Sequence, residues 1–272
     1  MTDLDPETLI KWKFLITKFK SYDRIGISLS GGVDSALVCA AAVESVGRER
    51  VTAFFIQSSM ELPEALIDAR LISEMLGVQM VIITMDELEN ELVRNNPPDR
   101  CYHCKAERMK KIKALASTTG NDQLMDGSNA DDLNDYRPGR KALEETGVIS
   151  PLAVTGITKN EVRRLAKWLG LPIWNKPSTP CLASRFPYGT LITHQRIEQI
   201  RCAEEVLRNM EFLDMRVRYH ESMAKIEVPQ DRFADIIKNR EIIIAAIKKC
   251  GFNFVTLDLQ GFRSGSLNEV LV

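Results

Sequence analysis

Two groups of residues in this 272-residue chain have the types and spacing to do chemistry. The first is Ser30-Gly31-Gly32-Val33-Asp34-Ser35, set between a short apolar run and a longer apolar, helix-forming one. Paired glycines let a backbone turn sharply and approach a ligand without a Cβ in the way. A helix starting just after them offers unpaired N–H groups and a positive dipole end to an anion. Ser30 and Ser35 can add hydroxyl donors, and Asp34 can orient a magnesium ion or a donor group. The same residues would also make a plain strand-to-helix turn with a serine cap. No lysine follows the glycines, so this is not a Walker loop.

The second group is Cys101-Tyr102-His103-Cys104 with Cys181. Two thiols at this spacing suit a redox couple, half of a zinc site, part of an iron–sulfur site, or no special role. No second Cys-x-x-Cys exists, so a closed four-ligand zinc site is awkward to build. Cys181, in Thr179-Pro180-Cys181-Leu182-Ala183-Ser184-Arg185, supplies a third thiolate, and Arg185 can stabilise it or neutralise a phosphate. Cys39, Cys202 and Cys250 are expected as buried packing residues. Six cysteines in a chain this long are too sparse for a disulfide scaffold.

Elements that must position these groups follow from periodicity. Asp5-Pro6-Glu7 opens a helix with a capping acid and a first-position proline. Ile25–Leu29, Val51–Ile56, Val78–Thr84 and Gln123–Asp126 read as strands, and Val33–Val46, Pro63–Leu76, a stretch around Asp86–Arg94, and Tyr102–Ala116 as helices. That alternation predicts an α/β domain with a parallel sheet and right-handed crossovers. Irregular polar chain follows, holding Asp131, Asp132 and Asp135, which either hold magnesium, orient a sugar or cap loops. Val148–Ser150 reads as a further short strand, and Thr158–Leu169 as a helix capped by Thr158. A three-proline loop then leads to a second pattern: helix (Thr193–Met210), strands (Met215–Tyr219, Ala224–Val228), helix (Arg232–Lys249) and strand (Phe254–Leu259). The expected division is 1–190 and 191–272, the latter a smaller α+β domain. Arg216 and Arg218 share one strand face, as do Lys225 and Glu227. They form either a solvated face or an anion site.

Composition narrows the classes. Hydrophobic residues are 44% and charged residues 27%, as in a soluble globular protein. Lys and Arg number 36 against 37 Asp and Glu, a formal net charge of −1, which argues against a nucleic-acid coat. The longest uncharged apolar run, Ala36–Val43, is too short to span a bilayer. The acidic start lacks a secretory pattern, which gives a cytoplasmic expectation.

Ser-Gly-Gly-x-Asp-Ser after a strand resembles the ATP pyrophosphatase (PP-loop) superfamily. The resemblance implies cleavage of ATP between its α and β phosphates, with a substrate oxygen activated as an adenylate. Residues Ser30, Gly31, Gly32, Val33, Asp34 and Ser35 would grip the departing pyrophosphate. The adenosine would lie near Phe55–Ser58 and Met125-Asp126-Gly127, placing Ser58 and Gly127 in the ATP site.

Further stretches resemble the ATP-dependent sacrificial sulfur transferases, the LarE family. They are Arg100-Cys-Tyr-His-Cys-Lys105, Asp126-Gly-Ser-Asn-x-Asp-Asp-x-x-Asp-Tyr-Arg-Pro-Gly139, Lys176-Pro-x-x-x-Cys-Leu-x-Ser-Arg-Phe-Pro-Tyr-Gly189 and Gly261-Phe-Arg-Ser-Gly-Ser266. The resemblance implies adenylation of a carboxylate on a pyridinium mononucleotide, then conversion to a thiocarboxylate for a nickel-pincer cofactor. Cys181, Asp34 and Arg185 would be catalytic, with ATP and Mg2+. Cys101, Cys104 and Cys181 match the members that hold a 4Fe-4S cluster supplied with sulfide or another sulfur donor. Other members use only the loop cysteine, once, as the donor. Arg216, Arg218 and Arg263 would bind substrate phosphate, although Lys225 stands where the family often has Arg, losing bidentate geometry. A homo-oligomer through the C-terminal part is also implied.

Competing readings are a tRNA thiolase, an amide-forming ligase such as NAD synthetase, and a non-catalytic ATP- or metal-binding regulator. The cysteine triplet has no role in the ligase. The near-zero charge favours a small nucleotide substrate over RNA.

Overall fold

A computed structural model describes residues 4–121, 123–133, 138–177, 180–263 and 265–271. Asp135 therefore lies outside the described residues, as do Tyr136 and Arg137 beside it, Thr179 before the Cys181 loop, and Ser264. In chain order the elements are α1 (Pro6–Phe19), β1 (Ile25–Ser28), α2 (Val33–Val46), β2 (Val51–Gln57), α3 (Pro63–Leu76), β3 (Gln79–Thr84), α4 (Glu91–Arg94), α5 (Arg100–Thr118) and β4 (Gln123–Met125). Then come α6 (Gly139–Thr146), α7 (Pro151–Val154), α8 (Lys159–Trp168), α9 (His194–Asn209), β5 (Arg216–His220), β6 (Met223–Glu227), α10 (Phe233–Lys238), α11 (Arg240–Lys249) and β7 (Phe254–Leu257).

The chain folds as two compact units: Met1–Ser58 with Pro63–Asp86 and Asp99–Thr179, and Ser59–Leu62 with Glu87–Pro98 and Pro180–Val272. In the first, a parallel sheet runs in the order β3-β2-β1-β4. Strand β2 is apolar on both faces, as a parallel strand covered by helices must be. Val51, Ala53 and Phe55 pack into one core with Trp12, Leu15 and the alanine-rich α2, while Phe54 and Ile56 pack into another with Met109, Ile112 and Leu143. The period of two along β2 thus feeds the two cores in turn. Helix α1 starts as its cap predicts, with Asp5 accepting from the Thr8 amide at 2.9 Å.

The second unit is built on a mixed sheet, β5-β6-β7, with β5 and β6 antiparallel and β6 and β7 parallel. The fold class is as expected: α/β with a smaller α+β part.

Four local secondary-structure readings change. The helix expected over Arg232–Lys249 is two, α10 and α11, with Asn239 between them in a non-helical conformation. The stretch around Asp86–Arg94 forms a 3-10 turn and the four-residue α4. Polar chain after Asp126 contains α6, whose buried face is only Ala142 and Leu143, too short a stripe to stand out in sequence. The strand expected at Val148–Ser150 reduces to one bridge, Ile149 to Met125. Cys39 is buried and free, its thiol pushed up to about 12 by burial. Cys202 and Cys250, expected as free packing thiols, are instead joined by a disulfide from α9 to the end of α11. Their 48-residue separation left no local signal. Among the described residues, no helix is long and apolar enough to cross a membrane.

Candidate functional site

In the first unit the chain steps from β1 outward to β2 and β3, then returns to place β4 on the other side of β1. In open α/β sheets such a switch point, at the carboxyl ends of the strands, is where ligands bind. The glycine loop leaves β1 there. Gly31 has φ +77°, and a Cβ on it would lie 2.2 Å from the Ala65 carbonyl oxygen, so only glycine fits. Gly32 is the N-cap of α2 and supplies no side-chain cap, which leaves the helix end for an anion. Val33 is core.

Ser35, 2% exposed, turns inward rather than offering a free donor. Its hydroxyl donates to the Gly32 carbonyl at 3.0 Å and accepts from the Ser30 amide at 3.1 Å, bracing the loop. Ser30 Oγ lies 3.2 Å from it. Gly127 has its role defined by proximity: a Cβ there would lie 2.6 Å from the Ser35 amide nitrogen and 2.9 Å from Ser35 Cα. The end of β4 thus abuts the loop backbone directly.

Asp34 is half-buried, with one carboxylate oxygen accepting from Asn129 Nδ2 at 3.0 Å and the other ion-paired with Lys159 of α8. Asp131 accepts the first amide of α8, from Lys159, and Asp132 accepts the Asn129 amide. Both carboxylates act as caps that shape the loop carrying Asn129. Asp126 is buried and accepts from Lys105 at 3.0 Å, Ser128 Oγ at 2.8 Å and Ser150 Oγ at 2.7 Å. Burial pushes its carboxyl up, but Lys105 and these hydrogen bonds outweigh it and hold the pKa below the usual range. Of the stretch expected beside adenosine, Phe55 is core and Ser58 accepts from Arg108 Nη2 at 3.3 Å.

Cys101 and Cys104 lie at the start of α5, Cys101 exposed and Cys104 half-buried. Buried Arg100 directs Nη2 at Cys101 Sγ, 3.3 Å away. His103 pairs with Asp99 at 3.1 Å rather than joining the thiols, and the Tyr102 hydroxyl donates to Glu145 at 2.6 Å. None of Cys101, Cys104 and Cys181 is in a disulfide, and an all-thiolate set is what an iron–sulfur cluster takes. In kind, then, the residues fit that group. Among the described residues, no three His, Cys, Asp or Glu side chains are gathered as a metal site.

In the second unit Cys181 precedes a 3-10 turn, Leu182–Arg185. Arg185 is fully buried and does not reach outward to a thiolate or phosphate. Its Nε and Nη2 donate to the two oxygens of Glu204 at 2.8 and 3.0 Å. Nη1 donates to the Pro180 carbonyl at 2.7 Å, the Cys181 carbonyl at 3.2 Å and Ser184 Oγ at 3.0 Å.

Strand pairing sets Arg216 opposite Glu227 and Arg218 opposite Lys225. Arg218 is nearly buried and donates to Glu227 at 2.9 Å, the Ser184 carbonyl at 2.6 Å and Ser266 Oγ at 2.8 Å. Arg216 stacks over Phe262, 5.1 Å from the ring centre. Burial, then the charges of Arg185 and Arg218, lower its pKa to about 10 against the pull of Glu204 and Glu227. A guanidinium so placed remains charged at neutral pH and is relieved by an anion. Lys225 pairs with Asp258 at 2.9 Å. Arg263, expected with these arginines, forks onto Glu269 at 2.9 and 3.0 Å on the surface. Ser266 of the same motif is what reaches Arg218.

Sequence reasoning missed Lys159 and Glu204, and gave Lys105 no role beyond its place in the Arg100–Lys105 stretch. Lys159 is 125 residues from Asp34, and its only signal is its place directly after the Thr158 cap, at a helix start.

A family model described as NAD synthase matches residues 13–112. The chain is 38% identical, over 94% of its own length and 93% of the relative, to a pyridinium-3,5-bisthiocarboxylic acid mononucleotide synthase of Lactiplantibacillus plantarum. It is 40% identical to an uncharacterized protein of Synechocystis sp., over 93% of this chain and 95% of the relative. An NH(3)-dependent NAD(+) synthetase of Trichlorobacter lovleyi is 27% identical over 64% of this chain and 65% of the relative.

Proposed function

The chain belongs to the LarE family of PP-loop ATP pyrophosphatases, and from that premise we propose that it is an ATP-dependent sulfurtransferase converting a pyridinium-ring carboxylate of a mononucleotide to a thiocarboxylate. What carries the reading is the loop at the switch point of the sheet. It has an uncapped helix end, a glycine that seats β4 against its backbone, and the Asp34–Lys159 pair beside it.

The loop amides of Gly31 to Ser35 would hold the β and γ phosphates of ATP against the positive end of α2. Asp34 would hold magnesium, its exchange with Lys159 leaving that ammonium to meet phosphate charge. A substrate carboxylate oxygen attacks the α phosphorus, the bond to the β phosphate breaks, and pyrophosphate leaves. A two-electron sulfur nucleophile then attacks the acyl carbon, and AMP leaves. Arg216 and Arg218 would neutralise the substrate phosphate. Arg185 is buried beneath the backbone of the Cys181 loop, and Arg263 is paired with Glu269.

Cys101, Cys104 and Cys181 would hold a 4Fe-4S cluster, which when bound supplies sulfide at an iron without a protein ligand and so permits repeated turnover. The resemblance to the synthase equally supports a second source, the Cys181 sulfur itself, spent once per chain. The extra thiols Cys101 and Cys104, neither of them in a disulfide, favour the first. Cytoplasmic placement and a homo-oligomer formed through the second unit remain part of the same proposal.

The test is anaerobic purification with iron and acid-labile sulfide quantified, followed by reaction with ATP and the pyridinium biscarboxylate mononucleotide. The expected result is iron-dependent, repeated thiocarboxylate formation, abolished by Cys101→Ala, Cys104→Ala or Cys181→Ala. An iron-free chain that loses hydrogen sulfide from Cys181 replaces the cluster reading with single use. Absence of pyrophosphate release with any carboxylate substrate overturns the enzyme reading.

A further inference from the structure

Glu204 belongs to none of the motifs above, yet it is a carboxylic side chain only 1% exposed in the second unit. One of its oxygens accepts both Arg185 Nε at 2.8 Å and the Val217 amide at 3.1 Å; the other accepts Arg185 Nη2 at 3.0 Å. Its side chain therefore touches, from α9, the two parts of the unit that the proposed chemistry needs. One is the turn carrying Cys181, gripped through Arg185. The other is β5, at the residue between Arg216 and Arg218. Arg218 closes the circuit by donating to the Ser184 carbonyl at 2.6 Å.

Burying a carboxylate and a guanidinium together is weak as a device for stability, because desolvation consumes most of the attraction. A pair of apolar side chains would fill the space as well. What apolar groups cannot do is fix directions. Arg185 presents a rigid planar fork whose third nitrogen holds the Pro180 and Cys181 carbonyls, so orientation passes from Glu204 to the backbone at the thiol.

We infer that Glu204 is the positioning residue of this site, setting the backbone of Cys181 against the arginine strand through Arg185. The inference rests on the sulfurtransferase reading for its purpose, but its geometry can be tested apart from it.

The experiment compares the full chain, stripped of iron by a chelator, with Glu204→Ala, Glu204→Gln and Arg185→Lys. Iodoacetamide alkylation is followed by peptide mass spectrometry at Cys181 and, as an internal reference, at Cys101 in the other unit. Glu204→Ala should change the Cys181 rate about fivefold or more while Cys101 stays within about twofold, since the thiol loses a fixed backbone. Glu204→Gln, which keeps an acceptor oxygen, should fall between. In turnover assays kcat should drop about tenfold or more with KM for ATP little changed, as expected when an interaction orients rather than binds. If Glu204→Ala does not fold, Glu204→Gln and Arg185→Lys carry the same comparison. A lowered Tm with an unchanged ratio of Cys181 to Cys101 rates makes the pair merely structural and overturns the inference. If the wild-type chain forms no thiocarboxylate, the function reading falls, while the alkylation ratio still decides the role of Glu204.

Discussion

Gly127→Ala is a small change with a large expected effect. Its Cβ would lie 2.6 Å from the Ser35 amide nitrogen, 2.9 Å from Ser35 Cα and 3.0 Å from the Asp34 carbonyl carbon. All three are backbone atoms, so no rotamer relieves the clash. Ordinary Cβ contacts begin near 3.4 Å, so the start of α2 must retreat by about 0.8 Å in a close-packed setting. Displacements of about 1 Å at a positioning element cost on the order of a hundredfold in rate. We therefore expect pyrophosphate release from Mg-ATP to fall about 30- to 100-fold, or about 2–3 kcal/mol of transition-state stabilisation. Gly32→Ala provides the contrast, since its Cβ would meet nothing closer than Ser30 Oγ at 3.4 Å; its Tm should stay near wild type. The assay is steady-state pyrophosphate release beside a thermal melt. A folded Gly127→Ala chain that retains activity within about threefold would refute the close approach of β4 to the loop as a determinant of the site.

Other outcomes follow from the same geometry. Lys159→Met, which leaves Asp34 without its cation, should reduce kcat/KM for ATP about tenfold or more by removing charge aimed at the phosphates; an unchanged value in the pyrophosphate assay assigns the lysine to structure alone. Asp126 has a folded pKa below its ordinary value, so its contribution to stability is present above about pH 4 and is lost as pH falls through the folded value. Urea melts should accordingly show Asp126→Asn less stable than wild type by about 2 kcal/mol at pH 7, with the gap narrowing below pH 4; a pH-independent gap contradicts this. Thiol titration of the denatured, unreduced chain should find four free cysteines, and Cys202→Ser should lower stability by about 4 kcal/mol on the loop-entropy model. Six free thiols would remove the disulfide.

How much of this was readable in the sequence varies with the range of the interaction. The glycine loop was legible because its determinants are adjacent: an apolar strand, two glycines and a helix start within a dozen residues. The parallel sheet was legible for the same reason, each element carrying its own period. What Asp34 touches was not, since Lys159 and Asn129 come to it through the packing of α8 and the loop after β4. Arg185 read as a cation for the Cys181 thiolate or a phosphate because its neighbours in sequence are those of a functional loop; only folding reveals its burial and its pairing with Glu204. The pairing of Arg263 with Glu269, and the contact of Ser266 rather than Arg263 with Arg218, were not legible from one shared motif. The Cys202–Cys250 bond depends on α9 and α11 meeting, which no local pattern encodes. The loop acids Asp131 and Asp132 were ambiguous between ligands and caps, and the structure uses both for backbone amides.

The most direct measurement is mass spectrometry of the mononucleotide after incubation of the purified chain with ATP, Mg2+ and the pyridinium biscarboxylate mononucleotide, with AMP and pyrophosphate counted in the same sample. The account predicts sulfur-for-oxygen replacement at a ring carboxylate, one AMP and one pyrophosphate for each sulfur inserted. An amide formed with added ammonia, or ATP consumed with no sulfur in the product, would contradict it.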